Sequence, residues 1–293
     1  MLPGRLGLET ARIPHEDRHG LLWLGFGNLY VEDGTLRFRT AGYDELPAGD
    51  YSLPFQMVSC IVLEPGTTVS HDALRLLARH GSGLIAAGTG GVRYYASMPA
   101  GPDRAARARR HAEAWADPRQ RVAIVRRMYA WRLGEVLPVT DLDALRGIEG
   151  ARVKQAYKAL AERHGVRWRG RRYDRGNPNA ADPPNQAINH ASSALQGAAQ
   201  VAVAATGSLP QLGFIHEDSG ISFALDIADL FRERVLLPIA FQAVRNSEAQ
   251  PGLSLEAEVR RLAAKAFRAE RLVACMIERI KELLDADDGD GDE

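Results

Sequence analysis

The sequence predicts an α+β chain, with a small β-rich domain followed by a larger all-helical domain. Three observations carry this. Short apolar runs separated by turn signals fill the first hundred residues. The stretch Met98-Pro99-Ala100-Gly101-Pro102 then interrupts the chain, and beyond it apolar residues recur at helical spacing. Strands and helices are segregated rather than alternating, which argues against Rossmann-type and barrel enzymes.

The β-rich part spans 1–98. Leu21-Leu22-Trp23-Leu24 reads as one strand. Leu29-Tyr30-Val31 and Thr35–Thr40 flank Asp33-Gly34, a hairpin signal. Val58–Leu63, Gly83–Ala87 and 92–96 are further short apolar runs. Between them Ser70 is placed to cap a short helix through Leu77. Residues 99–102 read as a linker. The helical part, 103–284, holds predicted helices at 103–116, 119–133, 149–164, 185–206, 222–246 and 255–284, with a basic loop at 165–184. Residues 285–293 form an acidic tail expected to be disordered.

Apolar residues make up 45% of the 293 and charged residues 25%, which is ordinary globular composition. The 37 basic and 37 acidic residues cancel, and this excludes a histone-like polycation. It does not exclude nucleic-acid binding, which depends on how charge is distributed. Six of the acids lie in the tail, so the rest carries an excess of six positive charges. The tail either aids solubility or, if the chain binds nucleic acid, competes with it for the arginine surfaces. Only four basic residues are lysine; the arginine excess suits phosphate recognition but equally reflects compositional bias. Cys60 and Cys275 sit in apolar runs, so a disulfide framework or cysteine zinc site is not expected. The N-terminus lacks a signal-peptide core and no apolar run is long enough for a membrane span, so a cytoplasmic protein is expected.

Gly88-Thr89-Gly90-Gly91 lacks the residues of a phosphate loop and reads as a turn. His71 reads as a polar residue at a helix start. The strongest local signal is Leu212-Gly213-Phe214-Ile215-His216 followed by Phe223-Ala224-Leu225-Asp226-Ile227-Ala228-Asp229. At about 100° per residue the two aspartates lie ~60° apart and share a helix face. Carboxylates among apolar neighbours repel each other and resist desolvation, and a divalent cation would relieve both. A salt bridge to Arg232 or Arg234, or a solvated face, would do so too. Arg146-Gly147-Ile148-Glu149-Gly150-Ala151-Arg152 is the second signal, an acid at a predicted helix start among arginines. Ligand approach and simple macrodipole preference both account for it. The third is basic clustering at 104–132 and at 146–175, the latter with Trp168 and Tyr173 interleaved. It reads either as a phosphate-backbone surface with stacking groups or as solvated helix faces.

Four blocks, in order, carry a family resemblance: Leu63-Glu64-Pro65-Gly66-Thr67 with Val69-Ser70-His71; Arg146-Gly147-Ile148-Glu149-Gly150-Ala151-Arg152-Val153; Gly170-Arg171-Arg172-Tyr173; and Gly213-Phe214-Ile215-His216 with Ser222-Phe223 and Asp226-Ile227-Ala228-Asp229. Together they resemble the CRISPR-associated integrase of the spacer-acquisition module (CRISPR-associated protein one), in its type I-E branch. The resemblance implies a β-sandwich-like N-terminal domain, a helical catalytic domain, and a Mg²⁺ or Mn²⁺ site built from Glu149, His216 and Asp226, with Asp229 as supporting acid. It implies a homodimer that assembles with the small CRISPR-associated protein two. That complex joins 3′ ends of short DNA duplexes into a CRISPR array by transesterification. DNA contacts are expected from Arg93, Arg146, Arg152, Arg171, Arg172, Arg260, Arg261 and Lys265.

The chain departs from the pattern at Glu217-Asp218-Ser219, where relatives can carry Thr-Gly-Lys, and at Thr68, Gln196 and Phe26, where arginine, tyrosine and tyrosine can occur. None of these touches the expected ligands. The competing readings are a non-catalytic DNA-binding scaffold and a metal phosphohydrolase of small esters. Two long arginine-rich segments exceed what a small ester needs.

Overall fold

A computed structural model of the chain describes residues 19–43, 46–98, 105–134, 142–172 and 181–285, with backbone alone at 19 and 142–146. The expected linker, Tyr173, the Arg146 side chain and the tail beyond Asp285 lie outside what is described.

Alternation along β3 (Thr35–Thr40) turns Leu36, Phe38 and Thr40 inward. β3 pairs antiparallel with β2 (Gly27–Glu32) through the predicted hairpin, where Asp33 and Gly34 take φ of 50° and 72°. Two successive positive φ values match the right-handed twist of the flanking strands. β4 (Gly49–Ser52) and β6 (Thr67–Val69) complete this sheet in the order β4-β3-β2-β6. Neither was predicted, because both are short and carry little apolar pattern. β4 is held instead by polar contacts, with Asp50 accepting from Tyr30 Oη at 2.6 Å and from Arg39 Nη2 at 2.9 Å.

The second sheet, β1-β5-β7-β8, uses β1 (His19–Leu24), β5 (Val58–Leu63), β7 (Gly83–Ala87) and β8 (Tyr94–Ser97). β5 pairs parallel with both β1 and β7. Such pairing needs a crossover, supplied before β7 by α1 (His71–His80). Ser70 caps α1 as predicted, its Oγ accepting from the Ala73 N–H at 3.2 Å. One core of Leu29, Phe38, Ile61, Leu77 and Leu84 joins both sheets and α1, which gives the sandwich-like β domain.

The helical unit contains α2 (Ala105–Ala116), α3 (Pro118–Leu133), α4 (Leu142–Arg163), α5 (Pro183–Thr206), α6 (Ser222–Asp229), α7 (Leu237–Ala249), α8 (Leu255–Ala269) and α9 (Leu272–Leu284). α5 is its axis. Alanines at 187, 191, 194, 198 and 202 bury it closely against α6, α7, α8 and α9.

Four sequence expectations need correction. The helix carrying Glu149 starts at Leu142, so Glu149 is interior rather than at a helix start; Gly147 and Gly150 are passed through without breaking it. The span 222–246 is two helices joined by a π-helical turn, Arg232–Leu236. Pro238 lacks an N–H and crowds the preceding carbonyls, and the wider turn accommodates it. The span 255–284 breaks at Arg271, whose φ is 50°. Asp285, assigned to the tail, is instead pinned by Arg107 Nη2 at 2.6 Å and Arg110 Nη2 at 2.8 Å.

The boundary at 98 is also not the spatial one. Residues 88–94 group with the helical unit, and 95–98 and 105–106 with the β unit. Gly90, at φ 65°, lies so close to Ala264 that a Cβ would sit 2.9 Å from its carbonyl oxygen. A Cβ on Gly197 would sit 2.8 Å from Arg93 Cα. Among the described residues no helix is long and apolar enough to cross a membrane.

These contacts set opposite expectations for two helical glycines. Gly197→Ala should cost roughly 1–3 kcal/mol by overpacking. Gly150→Ala meets nothing within 4 Å and should gain up to about 1 kcal/mol from helix propensity. Urea unfolding midpoints measure both; no loss of stability in Gly197→Ala would refute the packing around 88–94.

Candidate functional site

The site is built around a turn that holds its shape through polar contacts. Gly213 is required there, because a Cβ would meet the His216 carbonyl oxygen at 2.1 Å. The next three amides all point at one carboxylate. Asp226 of α6 accepts from the Phe214 N–H at 2.6 Å, the Ile215 N–H at 3.1 Å and the His216 N–H at 3.0 Å. Its Oδ1 is also 2.6 Å from His216 Nδ1. Asp226 is completely buried. An ionised carboxylate can only accept, so His216 Nδ1 carries the proton and Nε2 faces outward. The Asp226 hydrogen bond, with Asp229 behind it, holds the His216 imidazole above its ordinary value despite partial burial.

Asp229, one helical turn on, lies elsewhere. Its Oδ2 is 3.9 Å from His216 Nε2 and 4.0 Å from Arg132 Nη1, and its Oδ1 accepts from Arg232 Nη2 at 2.5 Å. Arg132 Nη1 also donates to Glu149 Oε1 at 2.5 Å, and Tyr129 Oη reaches Glu149 Oε2 at 3.5 Å. Glu233, in the π-helical turn, places Oε1 3.8 Å from Arg132 Nε. Burial pushes the Glu233 carboxyl up, partly offset by Arg132. The carboxylates of Glu149, Asp229 and Glu233 thus surround the Arg132 guanidinium, and His216 Nε2 adjoins Asp229.

The expected trio of Glu149, His216 and Asp226 is therefore not brought together as three open ligands. Both Asp226 oxygens are committed to the turn, and the carboxylate facing the seat with Glu149 and His216 Nε2 is that of Asp229. Among the described residues no three His, Cys, Asp or Glu side chains stand at metal-holding geometry. The reason is local, since Arg132 fills the space between Glu149 and Asp229. The donor types nonetheless suit a hard divalent cation, and a positive group already occupies their centre.

With this geometry in place, the comparisons are specific. Residues 129–268 match the family model of CRISPR associated protein Cas1. The CRISPR-associated endonuclease Cas1 of Escherichia coli (strain K12) is 37% identical over 95% of this chain and 89% of its own length. The chain belongs to the Cas1 family. A crystal structure of a TtCas1–DNA complex superposes with a TM-score of 0.81 at 37% identity, covering 94% of this chain and 99% of that one. A casposase bound to integration product shares the fold, with a TM-score of 0.65 at 15% identity over 91% and 96% of the chains.

Within this Cas1 chain the arginines divide into two groups. Arg107 and Arg110 hold Asp285, Arg121 holds the Phe214 carbonyl and Glu217, Arg127 donates to the Glu282 carbonyl, and Arg132 is buried in the site. Most of the 104–132 cluster thus supports the fold rather than forming a phosphate surface. Trp168 stacks on Tyr157 at 5.2 Å and meets Phe241 edge-on, so it serves the core. Arg171 donates to Asn185 and Asn189 of α5 at 3.0 and 2.6 Å, tying down the segment that exposes Arg172. Arg93 is half-buried near His190 and Arg152 is partly buried. Arg261 is chelated by Glu258, Arg260 lies 3.8 Å from Glu256, and Lys265 is exposed.

Two further residues hold the turn from its other side and carry no local sequence signal. His111 Nε2 lies 2.8 Å from the Leu212 carbonyl while its Nδ1 accepts the Leu209 N–H at 3.1 Å, which assigns the proton to Nε2. Trp115 Nε1 donates to the Gly213 carbonyl at 2.9 Å. His111 also packs against Phe214 and Phe223. Burial pushes its imidazole down to about 4.

A depressed histidine favours the neutral folded form, so its contribution is complete above the unfolded value near 6.5 and is lost as pH falls toward 4. Between these limits the unfolded chain binds the extra proton. Wild type should lose up to roughly 3 kcal/mol more than His111→Gln over that range. Urea melts at matched pH measure the difference; parallel profiles would refute it.

Proposed function

We propose that this chain is a divalent-metal-dependent DNA endonuclease and integrase. In this reading it joins the 3′ ends of short DNA duplexes into a CRISPR array by transesterification, within the type I-E branch. The observation that carries it is that Glu149 and Asp229 flank the buried Arg132 guanidinium while His216 Nε2 lies 3.9 Å from Asp229, in a chain largely collinear with a CRISPR-associated endonuclease.

Glu149, His216 and Asp229 would hold Mg²⁺ or Mn²⁺. Asp226 is a positioning residue that fixes the turn and the tautomer. A bound divalent ion supplies positive charge opposite a phosphodiester under attack and eases proton loss from the attacking hydroxyl. His216 presents Nε2 with its lone pair outward because Asp226 holds Nδ1–H. Glu149 lies on α4 between Gly147 and Gly150, each with open space beside it, so a backbone phosphate can approach closely. Carboxylates alone repel DNA. Arg172, Lys265, Arg93 and Arg152 provide the offsetting charge, with Arg146, Arg171, Arg260 and Arg261 as further contacts of the same surface. The protein acts as a homodimer with the small CRISPR-associated protein two, in the cytoplasm.

The test uses a labelled duplex, a supercoiled array plasmid and the small partner. Strand joining should require Mg²⁺ or Mn²⁺ and fall at least about 100-fold in Asp229→Asn and His216→Gln. Asp226→Asn should unfold at least about 3 kcal/mol more easily, since buried N–H groups lose their acceptor. Asp229→Asn keeps an amide oxygen for Arg232 and should unfold about 1–2 kcal/mol more easily in the absence of metal, less than Asp226→Asn. Full joining by Asp229→Asn would refute the ligand set, and undiminished binding without joining by wild type would favour a scaffold.

DNA affinity should fall steeply with salt. Arg172→Ala and Lys265→Ala should each flatten the log–log slope by about 1. Unchanged slopes would remove these residues from the DNA surface.

A further inference from the structure

Arg132 is the most deeply buried charged group facing the acidic seat, its side chain only 5% exposed. Among the described residues only Nη1 is hydrogen-bonded, to Glu149. Nε and Nη2 are buried with no hydrogen-bond partner among those residues, and so is Glu233 Oε1, 3.8 Å from Nε. Buried guanidinium nitrogens are normally satisfied, and a vacant carboxylate oxygen just out of reach is unusual. The arrangement has a cation in one seat and a second seat empty beside it.

We propose that Arg132 is a tethered counter-ion that fills the seat between Glu149 and Asp229 until a divalent cation arrives, and then transfers its hydrogen bonds to Glu233. This rests on the metal reading above. Without any cation, Glu149 and Asp229 would face each other across a poorly hydrated space and repel. Arg132 removes that repulsion. A divalent ion and a guanidinium cannot both occupy the gap, because they compete for the same oxygens and repel each other. Arg132 is too buried to swing into solvent, so it needs an internal partner. Glu233 is adjacent, carries an unfilled acceptor and belongs to the π-helical turn rather than to the ligand set. Asp229 keeps Arg232 on Oδ1 throughout, leaving Oδ2 toward the seat. Metal affinity is then set by an exchange that keeps every carboxylate paired.

Two substitutions should move metal affinity in opposite directions. Removing the competitor in Arg132→Gln should tighten Mn²⁺ binding at least about fivefold. Removing the second seat in Glu233→Gln should weaken it at least about fivefold. The double variant should behave like Arg132→Gln, because Glu233 matters only as a seat for the arginine. Free Mn²⁺ is counted by electron paramagnetic resonance on the full-length protein, without DNA. In parallel, the Arg132 Nε–H signal should shift on Mg²⁺ titration of wild type and stay fixed in Glu233→Gln.

Unchanged or weaker Mn²⁺ binding by Arg132→Gln overturns the exchange, because a purely structural arginine predicts that result. If Arg132→Gln does not fold, Glu233→Gln decides: unchanged affinity there overturns it. Failure of the metal reading is distinguishable, since wild type would then bind no Mn²⁺ that Asp229→Asn abolishes.

Discussion

A carboxylate with no solvent exposure must find partners inside the fold, and the helical unit is organised around one that does. Asp226 accepts three successive amides and an imidazole N–H. Each contact costs little once the others exist, and none could be lost without leaving a buried polar group unsatisfied. The consequence is geometric. Turn 213–216 has one shape, His216 has one tautomer, and Nε2 has one direction. His111, Trp115 and Arg121 grip the carbonyls of the same segment from α2 and α3. The turn is thus held by its amides on one side and its carbonyls on the other. A segment without regular secondary structure becomes as fixed as a helix.

Asp229 inherits its role from this arrangement. It sits one turn beyond Asp226 on the same short helix, so fixing Asp226 against the turn fixes where Asp229 can point. The helix then ends and the π-helical turn begins. That turn brings Arg232 and Glu233 beside the carboxylates contributed by α4 and α6. Three acids and two arginines come within a few ångströms, from segments 17 to 101 residues apart in sequence. Charge balance at this point is a property of the packed helices, and no single element possesses it.

Local chemistry made much of this legible, and its absence explains what was not. Asp33-Gly34 specified a hairpin because few residues accept two positive φ values in succession, and Ser70 specified a helix start because its hydroxyl bonds an orphan N–H. Gly147 and Gly150 misled, since their propensity cost is small beside the contacts that a 22-residue helix makes. The 60° separation of Asp226 and Asp229 was correct as an angle. Which of the two turns inward depends on a turn ten residues earlier that angles cannot describe. The arginines of 104–132 looked like a DNA surface because their partners, Asp285, Glu282, Phe214 and Glu149, are distant in sequence. Unpaired in a linear reading, they are paired in the fold.

That pairing separates this site from small metal domains in which the ion is itself a folding partner. There, unneutralised ligands keep the chain unfolded until metal binds. Here Glu149 has Arg132, Asp229 has Arg232, and His216 has Asp226. Each donor already has a counter-charge or hydrogen bond supplied by the chain. The fold therefore closes electrostatically by itself, and an ion entering the seat must displace an interaction rather than complete one. On the proposed metal reading, intrinsic affinity is lowered by the work of displacing Arg132, while the turn that aims His216 Nε2 is already in place and loses little entropy when an ion binds.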